Sequence, residues 1–384
     1  MAEGRTRPAW AEIDLGALER NARRISEFVG KSQLCAVVKA DAYGHGAVQS
    51  AEAFLRGGAT WLAVALVDEG IELREAGITA PILMLSEPPA DAIDAAVEAG
   101  LTPTVATADG VRRVASAGER RQLRVPVHLK VDTGMHRVGA SLDELPDLLT
   151  AIATSPTVEL EGLYTHLAVA DSTAEDAEAF IAEQLELFEQ ATDMAATLGL
   201  TPSLRHVANS AAALIRPKAG FDMVRVGIAL YGASPSPEVA DRFGDLGVPS
   251  LEPVLTLKAR VSAVRRLKAG SRPSYGRVRP LPQDSYVATV PIGYADGVPR
   301  ALLASGFEVL IHGKRHPLAG TITMDQIVVD CGDTEVEVGA EVVLLGVQSG
   351  ERISAEDWAQ QLGTISYEVL CGIGPRVTRS PIAT

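Results

Sequence analysis

The sequence predicts an α/β protein built as an N-terminal (β/α)8 TIM-type barrel followed by a C-terminal, mainly-β domain. Three observations carry this expectation. From residue 34 to about residue 230, short apolar runs alternate with longer amphipathic ones, the pattern of parallel strands joined by helices. Polar residues stand at the C-terminal ends of those apolar runs, where barrels of this kind keep their active sites. Beyond Ser234-Pro235-Ser236-Pro237 long helical stretches nearly vanish and prolines such as Pro253, Pro273, Pro280 and Pro282 punctuate β-rich runs.

In chain order, strands are expected near 34–39, 61–65, 82–85, 102–105, 127–132, 160–166, 204–208 and 223–226. Helix-like stretches lie between most of them, among them Ala47–Arg56, Asp91–Ala99, Leu142–Ala153 and Ala174–Leu198. Eight strands, each followed by a helix, close as a barrel; an open doubly wound sheet is the alternative that the same alternation permits. We place the first domain at 1–240 and the second at 241–384. In the second, strands are expected over Val254–Val264, Tyr286–Pro291, Ile327–Asp330 and Glu341–Leu345, with one short helix near Ala355–Gln361. The early strand-like segment Ala9–Leu15 precedes the first barrel helix and is a candidate to pair with the second domain instead.

A chain of 384 residues with 47% apolar content is long enough for two domains with sizeable cores. No run approaches the ~18 uninterrupted apolar residues of a membrane span. The opening run Met1–Pro8 has basic residues with no apolar stretch behind them, so no secretory signal is read there. Cys35, Cys331 and Cys371 are odd in number and widely spaced, which points to neither a disulfide framework nor a zinc site, and a reducing cytoplasm is the simplest home. The formal charge of −14, from 49 acidic and 35 basic side chains, argues against general binding to nucleic acid or to an anionic membrane. It leaves room for one small anionic ligand held by a local cluster of arginines.

Lys39 is the most informative residue. It closes the apolar run Leu34-Cys35-Ala36-Val37-Val38, with Gly44 and Gly46 just beyond. A lysine so placed either reaches solvent or points its amine into a site, where burial favours the neutral, nucleophilic form. The other strand ends favour a site. Lys130 and Asp132 end the fifth strand, with Gly134, Arg137 and Gly139 after them; His166 ends the sixth; Asn209 and Ser210 follow the seventh; Arg225 and Gly227 end the eighth. Ser210 and the Gly227-Ile228 backbone fall where such barrels bind phosphate, and glycine lets main-chain N–H groups approach closely. Alone, Gly227 reads as a turn residue. A lysine amine, a phosphate site and aromatic neighbours together fit pyridoxal 5′-phosphate, whose aldehyde needs the amine.

The motifs as they stand are Val37-Val38-Lys39-Ala40-Asp41-Ala42-Tyr43-Gly44-His45-Gly46, Lys130-Val131-Asp132-Thr133-Gly134-Met135-His136-Arg137-Val138-Gly139, Tyr164-Thr165-His166-Leu167 and His206-Val207-Ala208-Asn209-Ser210. Later come Ser274-Tyr275-Gly276, Pro291-Ile292-Gly293-Tyr294-Ala295-Asp296-Gly297, Met324-Asp325-Gln326 and Tyr367-Glu368-Val369-Leu370-Cys371-Gly372. In this order, through both domains, they closely resemble the alanine racemase family.

The resemblance implies that Lys39 carries the cofactor through its amine, while Tyr43, Ser210, Gly227, Ile228 and Tyr367 hold the phosphate. It sets His166 against the pyridine ring, although a lone His at a strand end is otherwise structural. It assigns Arg137 to the cofactor's phenolic oxygen and the substrate carboxylate, which a guanidinium fork suits. Lys130 matches a position that is carbamylated in many relatives; an ordinary lysine paired with Asp132 is the alternative. Arg225 matches the partner of the pyridine nitrogen, where arginine offers a hydrogen bond but no proton. That weakens the electron sink and favours return of the proton to Cα, whereas a carboxylate there would fit the fold-related decarboxylases better.

Racemisation needs two proton carriers on opposite faces, and the resemblance assigns Lys39 to D-alanine and Tyr275 to L-alanine. A phenol with a pKa near ~10 needs help to act as a base, and His166 is the family's candidate helper. Taken alone, Tyr275 reads as a packed aromatic of the β domain. The resemblance also implies a head-to-tail homodimer in which Tyr275 and Met324 complete the partner's site, an entry corridor lined by Asp171, Tyr294, Arg300 and Ile365, no metal, and D-alanine production for peptidoglycan. Two residues depart from the family pattern: Thr321 stands where many relatives have arginine, and Ser366 where asparagine is common, which puts entry and rate in question before the reaction. A broader racemase of small amino acids such as serine uses the same parts. A non-catalytic protein holding the same cofactor in a barrel would need neither the β domain nor Tyr275.

Overall fold

The computed structural model describes residues 7–216, 219–246 and 250–384. Residues 1–6, most of the run read above for a secretory signal, lie outside the described residues. The chain divides into two compact units. One holds Leu18–Ala42 and Gly46–Glu252; the other holds the chain up to Ala17, Tyr43–His45 and Pro253–Thr384.

The chain enters through β1 (Ala9–Asp14) of the second unit and α1 (Leu15–Val29). The barrel unit then runs through β2 (Gln33–Val37), α2 (Lys39–Gly44), α3 (Ala47–Arg56), β3 (Trp61–Val64) and α4 (Val67–Glu75). It continues with β4 (Ile82–Met84), α5 (Ile93–Glu98), β5 (Thr104–Val105), α6 (Ala108–Arg121), β6 (Val125–Lys130) and α7 (Leu145–Thr154). It ends with β7 (Val158–Tyr164), α8 (Glu175–Thr197), β8 (Leu204–His206), α9 (Ser210–Ile215), β9 (Met223–Val226) and α10 (Pro237–Asp245). All eight strands β2–β9 pair in parallel, in the orders β4-β3-β2-β9 and β5-β6-β7-β8.

Backbone bonds join the two sets. Met84 and Thr102 bond across one seam, Met84 N–H to Thr102 O at 2.9 Å and Thr102 N–H to Ile82 O at 2.8 Å; across the other, Arg225 N–H reaches Ala208 O at 3.0 Å. The open doubly wound alternative is therefore set aside: the strands close on themselves. Strands buried on both faces read as near-continuous apolar runs, and β3 (Trp-Leu-Ala-Val) and β4 (Ile-Leu-Met) are buried at every position. Cys35 is fully buried in β2.

The second unit adds β10 (Leu255–Arg260), β11 (Ala263–Leu267), β12 (Ser285–Val290), β13 (Glu308–Ile311), β14 (Lys314–Pro317) and β15 (Ile327–Asp330). After these come β16 (Glu341–Gln348), β17 (Glu351–Ile353), α11 (Ala355–Leu362), α12 (Ser366–Cys371) and β18 (Thr378–Ile382). Its larger sheet has the order β14-β13-β16-β10-β1-β18, with β17 on β16, and its smaller one the order β11-β12-β15. β1 pairs antiparallel with β10 and parallel with β18.

Some elements differ from expectation. The first barrel strand stops at Val37 and not at 39, just short of the left-handed run that begins at Ala40. The run Val254–Val264 splits into β10 and β11, which serve different sheets. β13, β14, β17, β18 and α12 were not read from sequence; strands such as β17 (Glu-Arg-Ile) are too short and polar to show an alternation. Among the described residues, no helix is long and apolar enough to cross a membrane.

Candidate active site

Lys39 opens α2, whose next four residues, Ala40, Asp41, Ala42 and Tyr43, all have φ between 52° and 54°. A left-handed turn of L-residues costs roughly 1–2 kcal/mol per residue, so the surroundings must hold it. Asp41 Oδ1 accepts the Ala47 N–H at 2.7 Å. Glu69 accepts the Ala40 N–H through Oε1 at 2.6 Å and, through Oε2, the N–H groups of Ala65 and Leu66 at 2.8 and 3.0 Å. One carboxylate thus ties the turn beyond Lys39 to the start of α4. Strain of this kind, over-determined by its neighbours, is typical of functional positions.

Beside Lys39, the barrel unit gathers Lys130, Arg137, His166 and Arg225. Burial, then Arg225, Lys130, Arg137 and Lys39 in turn, push the His166 imidazole down to about 3. The Lys130 amine, at the end of β6, is pushed down to about 8 by burial and by Arg225, Arg137 and Lys39 against the opposing pull of Asp132. The alternative reading of Lys130 as a lysine paired with Asp132 is not the arrangement found: among the described residues, the two form no ion pair. Asp132 instead serves its own loop, its Oδ1 accepting the N–H groups of Gly134 and His136, each at 3.0 Å. The same loop folds back so that Ala140 N–H meets Lys130 O at 2.9 Å. Gly139 makes this possible, with φ +140° and only 2.6 Å between the place of a Cβ and Asp132 N. Gly139→Ala is expected to cost about 1–3 kcal/mol and to raise KM through Arg137, checked by urea unfolding and steady-state kinetics.

Arg225 is buried at 4% exposure on β9. Its Nη1 donates to His206 Nδ1 at 2.7 Å and to His206 O at 3.1 Å; its Nη2 donates to Thr165 O at 2.8 Å and Val207 O at 3.2 Å, with His166 Nδ1 at 3.4 Å. Guanidinium has no lone pair to offer, so His206 Nδ1 accepts and the His206 proton sits on Nε2. Nε2 lies 2.8 Å from His128 Nδ1, which leaves the His128 proton on Nε2, facing Glu161 Oε2 at 3.5 Å. Burial and the Arg225 charge hold both rings below their ordinary range, hence neutral. The Tyr164 ring stacks on His206 at 4.6 Å and lies under the Arg225 guanidinium at 5.0 Å. Gly162, opposite His128 in the β6–β7 register, leaves room for that ring, since a Cβ there would strike it.

His166 carries a pH prediction. Its folded pKa lies below the unfolded value of 6.5, at about 3, so the unfolded chain takes up a proton that the folded ring refuses. Stability present above 6.5 is lost as pH falls toward 3. In the upper half of that window, before carboxylates titrate, His166→Asn is expected to flatten the decline in urea-unfolding free energy of the cofactor-free protein.

Ser210, buried at 4%, begins α9, and its Oγ accepts the Gly227 N–H at 2.9 Å. Ile228 is buried and starts the short 3-10 turn Ile228–Tyr231. Asp171 is exposed after β7, its carbonyl accepting from Ser236 Oγ at 2.7 Å. In the second unit, Tyr43 and Tyr367 face each other at 6.1 Å between ring centroids, and burial, with Tyr367 and Cys371, pushes the Tyr43 phenol up. Tyr275, Tyr294, Arg300 and Met324 line one open pocket of about 700 Å³ with Thr321, Ile322, Thr323 and Asp325. Ile365 is exposed at the start of α12 and Ser366 is buried behind it.

The loop that carries Tyr275 is itself strained. Ser274 has φ 68° and ψ −177°, Gly276 φ 72° and Arg277 φ 49°; a non-glycine residue like Ser274 in that region costs of order 1–3 kcal/mol. Ser274 Oγ donates to Thr321 O at 2.6 Å, and Thr321 Oγ1 donates to Tyr275 O at 2.8 Å.

Sequence reasoning missed Glu69, His128 and Gln184, and gave His206 no role. Gln184, fully buried in α8, bonds Thr133 Oγ1 and His166 O, each at 3.2 Å. Its signal was available: a polar residue between Ile181 and Phe188 on the buried stripe of that helix.

Fold and site define a barrel enzyme with a cationic strand-end site suited to a small anionic ligand. Residues 13–235 match the family model of the alanine racemase N-terminal domain, and residues 254–381 that of the alanine racemase C-terminal domain. The chain is 45% identical over 376 residues to an alanine racemase of Symbiobacterium thermophilum, covering 97% of both chains, and 42% identical to one of Nostoc, covering 97% of this chain and 95% of that one. Its structure is similar to the crystal structure of alanine racemase from Bacillus anthracis with bound L-Ala-P, at TM-score 0.91 and 39% identity over 99% of this chain and 96% of that one. It is equally similar, at TM-score 0.91 and 41% identity over 98% of each chain, to alanine racemase from Streptomyces coelicolor. The chain belongs to the alanine racemase family, and it is an isomerase with that family's activity on alanine.

Proposed function

We propose that the enzyme interconverts L- and D-alanine with pyridoxal 5′-phosphate, Lys39 and Tyr275 serving as proton carriers on opposite faces of the substrate. The observation that carries this reading is the convergence of Lys39, Lys130, Arg137 and Arg225 on His166, in a chain of net charge −14. So much positive charge at the strand ends, with Lys130 and Arg225 buried, fits the binding of two anionic groups, the phosphate of the cofactor and the carboxylate of the substrate. The cofactor would be held through the Lys39 amine, with Ser210, Gly227, Ile228, Tyr43 and Tyr367 on the phosphate, His166 against the ring and Arg225 on the ring nitrogen, while Arg137 would serve its phenolic oxygen and the carboxylate of the substrate. Bound there, pyridoxal 5′-phosphate supplies an electron sink that makes the substrate Cα–H acidic.

The chain's own residues do the rest. Arg225, locked by its acceptors, donates a hydrogen bond while keeping its proton. Lys39 removes or returns the Cα proton on the face of D-alanine, and Tyr275 on the face of L-alanine. A depressed Lys130 amine is partly neutral at working pH and so open to carbamylation, which would turn a cation beside Arg137 into an anion. The exposure of Tyr275, Tyr294, Met324 and Ile365 supports a head-to-tail homodimer, since clustered exposed apolar side chains mark contact surfaces; there Tyr275 and Met324 complete the partner's site, and Asp171, Tyr294, Arg300 and Ile365 line the way in. A cytoplasmic role in supplying D-alanine for peptidoglycan rests on the family alone.

Borohydride treatment of the holoenzyme, followed by peptide mapping, tests the assignment. The cofactor should be fixed on the peptide containing Lys39, and attachment to another lysine would overturn it. A panel of D/L amino-acid pairs, serine included, defines substrate breadth.

A further inference from the structure

We propose that Thr321 is a positioning residue for Tyr275: with Ser274 it forms a reciprocal side-chain clamp that fixes the strained loop from which the Tyr275 hydroxyl is aimed. The inference rests on the reading of Tyr275 as a proton carrier.

Within its own chain Tyr275 is 74% exposed, so its own chain packs little against the ring, and the backbone beneath it sets the direction in which the ring leaves the loop. That backbone is strained on both sides, at Ser274 before it and at Arg277 after it. Two bonds run in opposite directions across the same gap, from Ser274 Oγ to Thr321 O at 2.6 Å and from Thr321 Oγ1 to Tyr275 O at 2.8 Å. Gly320 lets the two segments touch, since a Cβ there would strike Pro273 O. Elsewhere the loop is closed by Arg272 Nη1 on Arg277 O at 2.9 Å and by the Leu281 N–H on Ser271 O at 2.9 Å. Among the described residues, the clamp supplies the side-chain bonds that act on the residue pair bearing the hydroxyl. The net worth of two neutral hydrogen bonds and the cost of one residue at such a φ/ψ are of like size. Losing one bond is therefore enough to let Ser274 and Tyr275 relax toward ordinary backbone. Thr321 is also where the chain departs from the arginine of many relatives; its β-hydroxyl is short enough to reach a backbone carbonyl directly.

The test uses holoenzyme, D-alanine and deuterium oxide. Removal of the Cα hydrogen by Lys39 and return of a solvent deuteron by the same amine gives deuterated D-alanine; delivery from Tyr275 gives L-alanine. Thr321→Val removes the hydroxyl and keeps the shape. It is expected to raise the ratio of deuterated D-alanine to L-alanine about tenfold or more, because misplacing one proton carrier slows only its own face. Thr321→Ser is expected to restore the ratio. In the cofactor-free protein, amide exchange over 274–277 should quicken in the valine variant and recover in the serine variant, with the thermal midpoint unchanged. Tyr275→Phe separates the two failures. A raised ratio in Tyr275→Phe with an unchanged ratio in Thr321→Val overturns the clamp alone; unchanged ratios in both overturn the proton-carrier reading and the clamp with it.

Discussion

Tyr275→Phe is expected to slow interconversion of the alanine enantiomers by about 10²–10⁴-fold, the contribution of a positioned proton carrier. The substitution is well suited to separating chemistry from folding. At 74% exposure, Tyr275 contributes little packing that depends on its hydroxyl. Its loop is held by bonds from Ser274, Thr321 and Arg272 to backbone oxygens, none of which the phenol makes. Thermal midpoint, cofactor loading and KM should therefore stay near those of the parent while kcat falls. A parallel loss of stability would mean instead that the hydroxyl makes a structural hydrogen bond.

Arg225→Leu is expected to destabilise the cofactor-free protein by about 3–5 kcal/mol, the range for breaking a buried charged network. The guanidinium satisfies His206 Nδ1 and the carbonyl oxygens of Thr165, His206 and Val207 inside the barrel, and a buried acceptor left unpaired costs about 1–3 kcal/mol. The loss is partly offset because burial of the Arg225 charge is itself unfavourable, as its lowered pKa shows. Urea unfolding of the cofactor-free protein measures it. The same variant should also lose cofactor affinity, which separates it from a purely structural barrel arginine.

The fold was legible because its main signals are periodic. Apolar runs such as Trp61–Val64 and Ile82–Met84 mark strands buried on both faces, and the proline-rich stretch after Ser234 marks the change of architecture. Strand boundaries were less legible where a local interaction overrides the pattern. Val38 and Lys39 continue an apolar run, yet the Glu69 carboxylate and the Asp41 cap stabilise a left-handed turn that no periodicity announces. In the site, charged residues at strand ends were visible one by one, whereas what links them was not. His128 is spaced as a core residue of β6, and only the register that sets it against Gly162 reveals the chain from Arg225 through His206 to His128. Asp132 shows the converse: its proximity to Lys130 in sequence implies a pair, while its oxygens serve the loop that follows.

The account turns on there being one proton carrier for each face of the substrate. D-alanine incubated in deuterium oxide with Tyr275→Phe holoenzyme measures this most directly. Deuterium is expected to enter Cα at a rate set by Lys39 while the product remains D-alanine, with L-alanine formed only at the residual rate. Formation of deuterated L-alanine as fast as with the parent enzyme would contradict it, and would require a different hydrogen donor on the second face.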